Sequence, residues 1–246
     1  MTAPADADVV ILCGGLGTRL GPALAGLPKP LAPIGDKAFL DLLLEQAGRR
    51  GFTRFILCVG HKASEIERRY RGGGGREILF SRETTPLGTA GALKLCEPLR
   101  RGRTSLVMNG DSFCDFDPRD LLAAHALGGG PATIAVVPAA GRTDGGFIEL
   151  AENGDIARFS EKTEAARHIN AGVYALDSAV WREIPAGRPC SLETEIFPSL
   201  LGRGLRGWVA PAELYDIGTP ERLEAFRRLR AGPRPDRVAD VGGEGN

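Results

Sequence analysis

Three glycines within four positions, followed by an arginine and a lysine, define the chemistry open to this chain. The run is Val9-Val10-Ile11-Leu12-Cys13-Gly14-Gly15-Leu16-Gly17-Thr18-Arg19, and the lysine lies in Leu27-Pro28-Lys29-Pro30. Glycine has no Cβ, so backbone N–H groups in such a loop can close on a bulky anion. Arg19 and Lys29 add fixed positive charge at the same strand end. A triphosphate suits that combination. Two commoner glycine motifs fail. The dinucleotide fingerprint would need a third glycine where Leu20 stands, and the phosphate-loop motif would need a Gly-Lys pair that the chain lacks. A glycine-rich turn with solvated charges remains the bland alternative.

A carboxylate of interest follows the aliphatic run Leu106-Val107-Met108-Asn109-Gly110 directly, at Asp111. In parallel α/β sheets ligands bind beyond the carboxyl ends of strands. An aspartate there can hold Mg2+ between phosphate oxygens, although a turn or helix cap would use the same residue. One carboxylate rarely suffices for Mg2+ among phosphates, so a second is expected. His61, His125 and His168 share no metal spacing. His125 falls late in a helical stretch and reads as a surface residue.

The elements that must position these groups can be traced in order. Val9–Leu12 reads as a buried parallel strand. Phe39–Ala47 is a helix, Arg54–Val59 the second strand, and Ser64 caps a helix running to Tyr70. Gly72–Gly75 reads as a flexible loop. Glu77–Ser81 is a third strand, a helix starts near Thr89, and Ser105–Asn109 is the fourth strand. This alternation predicts a mostly parallel sheet with helices on both faces. Later the alternation loosens. Thr133–Val137, the hairpin Phe147–Leu150 and Ile156–Phe159, Ile169–Leu176 and Leu205–Val209 are strands. Trp181 lies on a short helix, Glu193–Leu200 is helical, and Thr219-Pro220 opens the closing helix with a cap and an N1 proline. Glu193 reads as that helix's start. From Gly232 onward Gly, Pro and Asp dominate, which predicts a disordered tail over 232–246 after one domain of 1–231.

Bulk composition narrows the class. The chain has 246 residues, with Lys plus Arg and Asp plus Glu both 31. Balanced charge argues against a dedicated nucleic-acid or membrane-surface binder, so phosphate charge must be met locally. The cysteines are Cys13, Cys58, Cys96, Cys114 and Cys190, with no C-x-x-C pair. That pattern suggests reduced, buried thiols and a cytoplasmic setting. Residues Met1–Asp8 lack the basic and long apolar regions expected of a secretory signal and are not expected to be one, and no apolar stretch approaches 18 residues.

Gly-Gly-x-Gly-Thr-Arg-Leu followed by Pro-Lys-Pro resembles the signature of the sugar-1-phosphate nucleotidyltransferases. Further motifs in matching order extend the resemblance from Val9 to Phe226. These include Leu87-Gly88-Thr89-Ala90-Gly91-Ala92, Asn109-Gly110-Asp111, Glu161-Lys162, Asn170-Ala171-Gly172 and Tyr215-Asp216-Ile217-Gly218-Thr219-Pro220. The chain is most similar to the short heptose-1-phosphate guanylyltransferases, close to the mannose-1-phosphate enzymes. The resemblance implies a Rossmann-like α/β fold with a smaller β-rich sugar-binding part. No six-residue period recurs, so no β-helix extension is expected.

The same resemblance implies roles. Arg19, Lys29, Asp111 and Asp216 would be catalytic, with Asp111 and Asp216 sharing Mg2+. Leu12, Gly14, Gly15, Gly17, Thr18, Arg19, Glu83, Pro86, Gly88 and Thr89 would bind the nucleotide, with Glu83 reading the base. Asn109, Gly146, Glu161, Lys162, Asn170 and Gly172 would bind the sugar phosphate, Lys162 gripping its phosphate. Relatives often carry an aromatic residue before the glycine at 146, where this chain has Gly145. The partners would be a nucleoside triphosphate, GTP by preference, and a sugar 1-phosphate of the heptose or mannose type, with a homodimer left open. Three alternatives stay open. One is a UTP- or dTTP-dependent hexose-1-phosphate enzyme. Another is a glycosyltransferase using an Asp-x-Asp motif, for which Asp115-Phe116-Asp117 has the form. The third is a non-catalytic nucleotide-sugar sensor.

Overall fold

The structure is a computed structural model and describes residues 7–24, 26–140, 142, 144–160 and 167–232. Glu161, Lys162 and the expected tail beyond Gly232 lie outside the described residues.

The first half alternates strand and helix. β1 (Asp8–Leu12) leads into the glycine loop, a 3-10 segment over Thr18–Leu24 and a short turn over Lys29–Leu31. β2 (Pro33–Ile34) and β3 (Lys37–Ala38) form a small hairpin before α1 (Phe39–Gly48). Then come β4 (Arg54–Val59), α2 (Ala63–Tyr70), β5 (Glu77–Arg82), α3 (Gly88–Cys96) and β6 (Thr104–Asn109). The second half carries β7 (Ser112–Cys114), α4 (Pro118–Gly128), β8 (Ala132–Pro138), β9 (Phe147–Leu150), β10 (Ile156–Ser160) and β11 (His168–Asp177). It closes with α5 (Ser178–Glu183), α6 (Phe197–Ser199), β12 (Leu205–Val209), β13 (Leu214–Asp216) and α7 (Pro220–Ala231).

The central sheet runs β10-β9-β11-β6-β1-β4-β5, with β8 on β11 and β12 on β8. β1, β4, β5 and β6 are mutually parallel where they pair, and β12 is parallel to β8. β11 runs antiparallel to β6, β8 and β9, which makes the later half a mixed sheet. Alternation along β1 explains the layering. Val9 and Ile11 join the core under α1, α2, α4 and α7, while Val10 joins the opposite core under α3, α5 and α6. Side chains two apart share a face, so a wholly apolar strand feeds both layers.

Local signals explain most boundaries. Asp41 returns its Oδ2 to Ala38 N–H at 2.8 Å and closes the first turn of α1. Thr219 Oγ1 accepts from Arg222 N–H at 3.4 Å with Pro220 next in line, as expected for α7. Asp117 caps α4 through Arg119 N–H at 3.0 Å, and Gly129 ends that helix at φ 67°. The carboxylate of Asp117 is further held by the Arg119 guanidinium at 2.6 Å. Asp115-Phe116-Asp117 is therefore the lead-in to a helix.

Two expectations, Ser64 as a cap and His125 as a surface residue, are corrected. α2 begins at Ala63 after Lys62 at φ 54°, so Ser64 is inside the helix and caps nothing. Gly73–Gly75 make a tight turn in which all three glycines take positive φ and Arg76 N–H donates to Gly73 O at 3.0 Å. The helix expected over 193–200 is present, as a π-helical turn over Leu192–Ile196 that runs directly into α6. His125 is 5% exposed, with Nδ1 2.9 Å from Thr133 Oγ1 and Nε2 3.2 Å from Asp177 Oδ1. It is a satisfied interior residue, since α4 packs on β8 and β11 at that point.

Candidate active site

β1 and β6 are parallel neighbours in register, Leu12 opposite Asn109. The glycine loop and Asp111 therefore leave the sheet side by side. Gly110 donates its N–H to Leu12 O at 2.9 Å, and a Cβ at Gly110 would lie 2.5 Å from that oxygen. Only glycine allows this approach. Gly17 turns the loop at φ 60°, and nothing lies within 4 Å of where a Cβ on Gly15 would project. Arg19 and Lys29, which follow the loop, both line one cavity with Asp111.

Asp216 reaches the same place through a separate two-stranded ladder. β13 pairs antiparallel with β7, placing Asp216 opposite Ser112, and Ile217 N–H donates to Asp111 O at 3.0 Å. The two candidate metal aspartates are thereby neighbours. They share a cavity of about 320 Å3 with Arg19, Lys29, Arg142 and Arg222. Lys29 Nζ donates to Asp111 Oδ2 at 2.6 Å. Asp216 accepts from Arg142 Nη1 at 2.7 Å, Arg222 Nη1 at 3.0 Å and Gly218 N–H at 3.0 Å. Burial pushes the Asp216 carboxyl up, but Arg142, the Gly218 N–H and Arg222 outweigh it and hold it below the ordinary aspartate range.

Arg142 and Arg222 belong to no motif that sequence reading singled out. Arg222 had a usable signal, being in the first turn of α7 and six residues beyond Asp216. Arg142 sits in the turn-rich 139–146 stretch and gave none. Asp144 accepts from Arg222 Nη2, which orients that guanidinium from its far side.

No group of three or more His, Cys, Asp or Glu side chains forms a metal cluster among the described residues. The donor set is Asp111 and Asp216, in one cavity that Asp144 and four cations also line. That fits a hard cation sharing its ligands with phosphate oxygens and water, and not an all-protein cage.

The residues expected to face the base lie on α3 and in the turn that joins it to β5. Glu83 follows β5, with its N–H on Val59 O at 2.9 Å. Its carboxyl lies against Gly14 and Gly60, and a Cβ on Gly14 would come 2.6 Å from Oε1. Leu87 N–H donates to Glu83 Oε2 at 3.0 Å. Burial raises the Glu83 carboxyl above the ordinary glutamate range, partly offset by the Leu87 N–H. Pro86 is exposed in the same loop, and Gly88 opens α3 at φ 72° under the carbonyl of Cys190. Thr89 Oγ1 donates to Glu193 Oε2 at 2.7 Å. All five cysteines are buried and unpaired.

Among the residues expected to meet the sugar phosphate, β11 carries an irregularity between Asn170 and Tyr174. Gly172 occupies it at φ 74°, where a Cβ would lie 2.9 Å from Asn109 Nδ2. Asn170 takes its N–H to Gly146 O at 2.9 Å, and its Oδ1 accepts from Gly172 N–H at 2.8 Å. Asn109, Gly146, Asn170 and Gly172 are thus brought together. Asn109 Oδ1 is buried with no partner among the described residues.

The chain matches the Nucleotidyl transferase family over residues 8–230. It is 34% identical over 221 residues to a mannose-1-phosphate guanylyltransferase of Mycobacterium tuberculosis, covering 87% of this chain and 62% of that protein. It is 37% identical over 228 residues to the mannose-1-phosphate guanylyltransferase catalytic subunit beta of Dictyostelium discoideum, covering 86% and 61%. The chain therefore spans about three fifths of the length of these curated relatives. Among solved structures, HddC from Yersinia pseudotuberculosis complexed with GMP-PN superposes with a TM-score of 0.79 at 28% identity, covering 91% of this chain and 99% of HddC.

Proposed function

The chain belongs to the nucleotidyl transferase family, and from that premise we propose that it transfers a guanylyl group from GTP to a sugar 1-phosphate of the mannose or heptose type, releasing pyrophosphate. The observation that carries the proposal is the β7–β13 ladder, which brings Asp216 beside Asp111 in one cavity with Lys29 and Arg19. Guanine as the base is supported by the names of the mannose-1-phosphate relatives and by the GMP-PN complex of HddC. The Asp-x-Asp motif that a glycosyltransferase would use is engaged as the cap of α4.

An oxygen of the sugar phosphate attacks the α-phosphorus of GTP. The new O–Pα bond forms as the bond to the pyrophosphate oxygen breaks in line. A phosphate monoester is already an anion, so no protein base has to remove a proton. The protein supplies positioning and charge. Backbone N–H groups of Gly14–Gly17 and the guanidinium of Arg19 hold the β- and γ-phosphates. Asp111 and Asp216 would hold Mg2+, which when bound neutralises charge on the α-phosphate. Lys29, which donates to Asp111 Oδ2 at 2.6 Å in the same cavity, balances the charge that develops on the bridging oxygen. Asn109, Gly146, Asn170 and Gly172 bound the sugar, with Gly172 allowing a hydroxyl close to the backbone. Glu161 and Lys162 complete that site on motif alone. No described helix is long and apolar enough to cross a membrane.

Pyrophosphate release by the purified protein, supplied with GTP, Mg2+ and mannose 1-phosphate or heptose 1-phosphate, tests the proposal. Release of sugar or free nucleoside diphosphate without pyrophosphate would replace it with a glycosyltransferase or hydrolase.

A further inference from the structure

Glu193 stands between the two halves of this cleft. Its Oε2 accepts from Thr89 Oγ1 at 2.7 Å and from Ser191 Oγ at 3.0 Å, while Tyr174 OH lies 3.5 Å from Oε1. Thr89 belongs to the turn on the nucleotide side. Tyr174 belongs to β11 on the sugar side, where Asn170 Nδ2 donates to its hydroxyl at 3.0 Å and Asn109 Nδ2 does so at 3.4 Å. The phenol has one proton and receives two amide N–H groups on its oxygen, so its own proton goes to Glu193. Burial and then the Glu193 charge keep that hydroxyl protonated far above the usual tyrosine range. Asn170 is in turn fixed at its other end by Gly172 N–H.

A purely local role for Glu193 is already filled by another residue. Ser191 Oγ caps the π-type turn through the N–H groups of Glu193 and Thr194, both at 3.2 Å. The carboxylate that answers Ser191 N–H is Glu195, at 3.0 Å, which also pairs with Arg188. Glu193 is left with three hydroxyl donors and no cation partner among the described residues. Two of those hydroxyls come from the opposite sides of the cleft. The same segment is pinned to α3 by Ala90 and Gly91 N–H on Cys190 O, at 3.0 and 3.1 Å, and by Leu192 N–H on Thr89 Oγ1 at 2.8 Å. The turn at Thr89 and the backbone that carries Glu193 are therefore tied together by hydrogen bonds.

We propose that Glu193 is a positioning residue that couples the two substrate sites, so that nucleotide seated against the Thr89 turn sets Tyr174 and Asn170 for the sugar 1-phosphate. The inference rests on the proposed reaction, since it needs both substrates to occupy the one cleft. Its consequence is that nucleotide tightens sugar 1-phosphate binding through Glu193.

The experiment is calorimetric titration of mannose 1-phosphate into the protein with Mg2+, with and without a saturating non-hydrolysable GTP analogue. Wild-type protein should bind the sugar phosphate about tenfold more tightly in the presence of the analogue, within the usual range of coupling between sites. Glu193→Gln keeps the size but turns one acceptor into a donor, and should bring that ratio to about one while changing analogue affinity less than threefold. Tyr174→Phe removes only the hydroxyl and should do the same, and the double variant should lose no more than either alone. Glu195→Gln, which weakens the local cap, should retain the ratio. A wild-type ratio near one, or a Glu193→Gln ratio equal to wild type, overturns the inference. Absence of pyrophosphate release by wild-type protein would overturn the proposed reaction instead, and the two failures are read separately.

Discussion

Asp111 and Asp216 are joined by the β7–β13 ladder: Asp216 lies opposite Ser112, and the next residue, Ile217, donates its N–H to the carbonyl of Asp111 at 3.0 Å. Two strands of three residues each thus place both aspartates in one cavity. Both carboxylates are met by cations from other parts of the chain, Lys29 on Asp111 and Arg142 with Arg222 on Asp216.

Asp111→Asn and Asp216→Asn are each expected to lower kcat by about 10²–10³-fold, the scale of removing one preorganised charge at a reacting phosphate. The double variant should be little worse than the single ones, because both carboxylates act through one ion. Pyrophosphate release at saturating substrates measures all three. Multiplicative losses would mean that the aspartates work independently.

Arg142→Ala removes the shortest cation contact on Asp216. Substrate-free protein should then bind Mn2+ about five- to tenfold more tightly, because a charge-assisted contact no longer competes for the carboxylate. Water proton relaxation during Mn2+ titration reads this directly. Weaker or unchanged Mn2+ binding would show that Arg142 does not compete for the metal position.

Much of this was legible from contiguous sequence. The glycine loop and Asn109-Gly110-Asp111 each follow an aliphatic run, so a strand end and a site residue are read together. Thr219-Pro220 likewise announced α7. What stayed hidden depends on partners distant in the chain. β7 and β13 are too short to show a period, so nothing local linked Asp216 to Asp111. Arg142 gains meaning only from Asp216, 74 residues away, and Glu193 only from Thr89, 104 residues away. His125 read as a surface residue because one polar side chain in a helix carries no burial signal; Thr133 and Asp177 satisfy it inside.

Glu83 should impose an acid limb on kcat/KM for GTP. To accept the N1–H and N2–H of guanine it must be ionised, and burial raises its carboxyl above the ordinary glutamate range. Activity with GTP should therefore fall as pH drops through that raised value, at a higher pH than an exposed glutamate would give. Glu83→Gln should remove the limb and reduce the GTP/UTP preference by roughly ten- to a hundredfold. A pH profile and a GTP/UTP ratio that match wild type would exclude Glu83 as the base reader.

Arg54 is the structural counterpart of these site charges. It is 8% exposed and pairs with Asp8, itself 2% exposed, and donates to Leu99 O at 2.7 Å. Arg54→Ala leaves a buried carboxylate short of its cation and should cost about 3–5 kcal/mol. A urea midpoint lowered at constant slope would show it; an unchanged midpoint would mean that the Arg101 and Gly102 N–H groups on Asp8 suffice.

The central claim is guanylyl transfer to a sugar 1-phosphate, and the most direct measurement is pyrophosphate release from a matrix of GTP, ATP, UTP, CTP and dTTP against mannose, heptose and glucose 1-phosphates with Mg2+. The account predicts release that requires both substrates, with GTP preferred and mannose or heptose 1-phosphate as acceptor. No pyrophosphate with any pair would contradict the transferase assignment, and a preference for UTP or dTTP would contradict the guanylyl assignment.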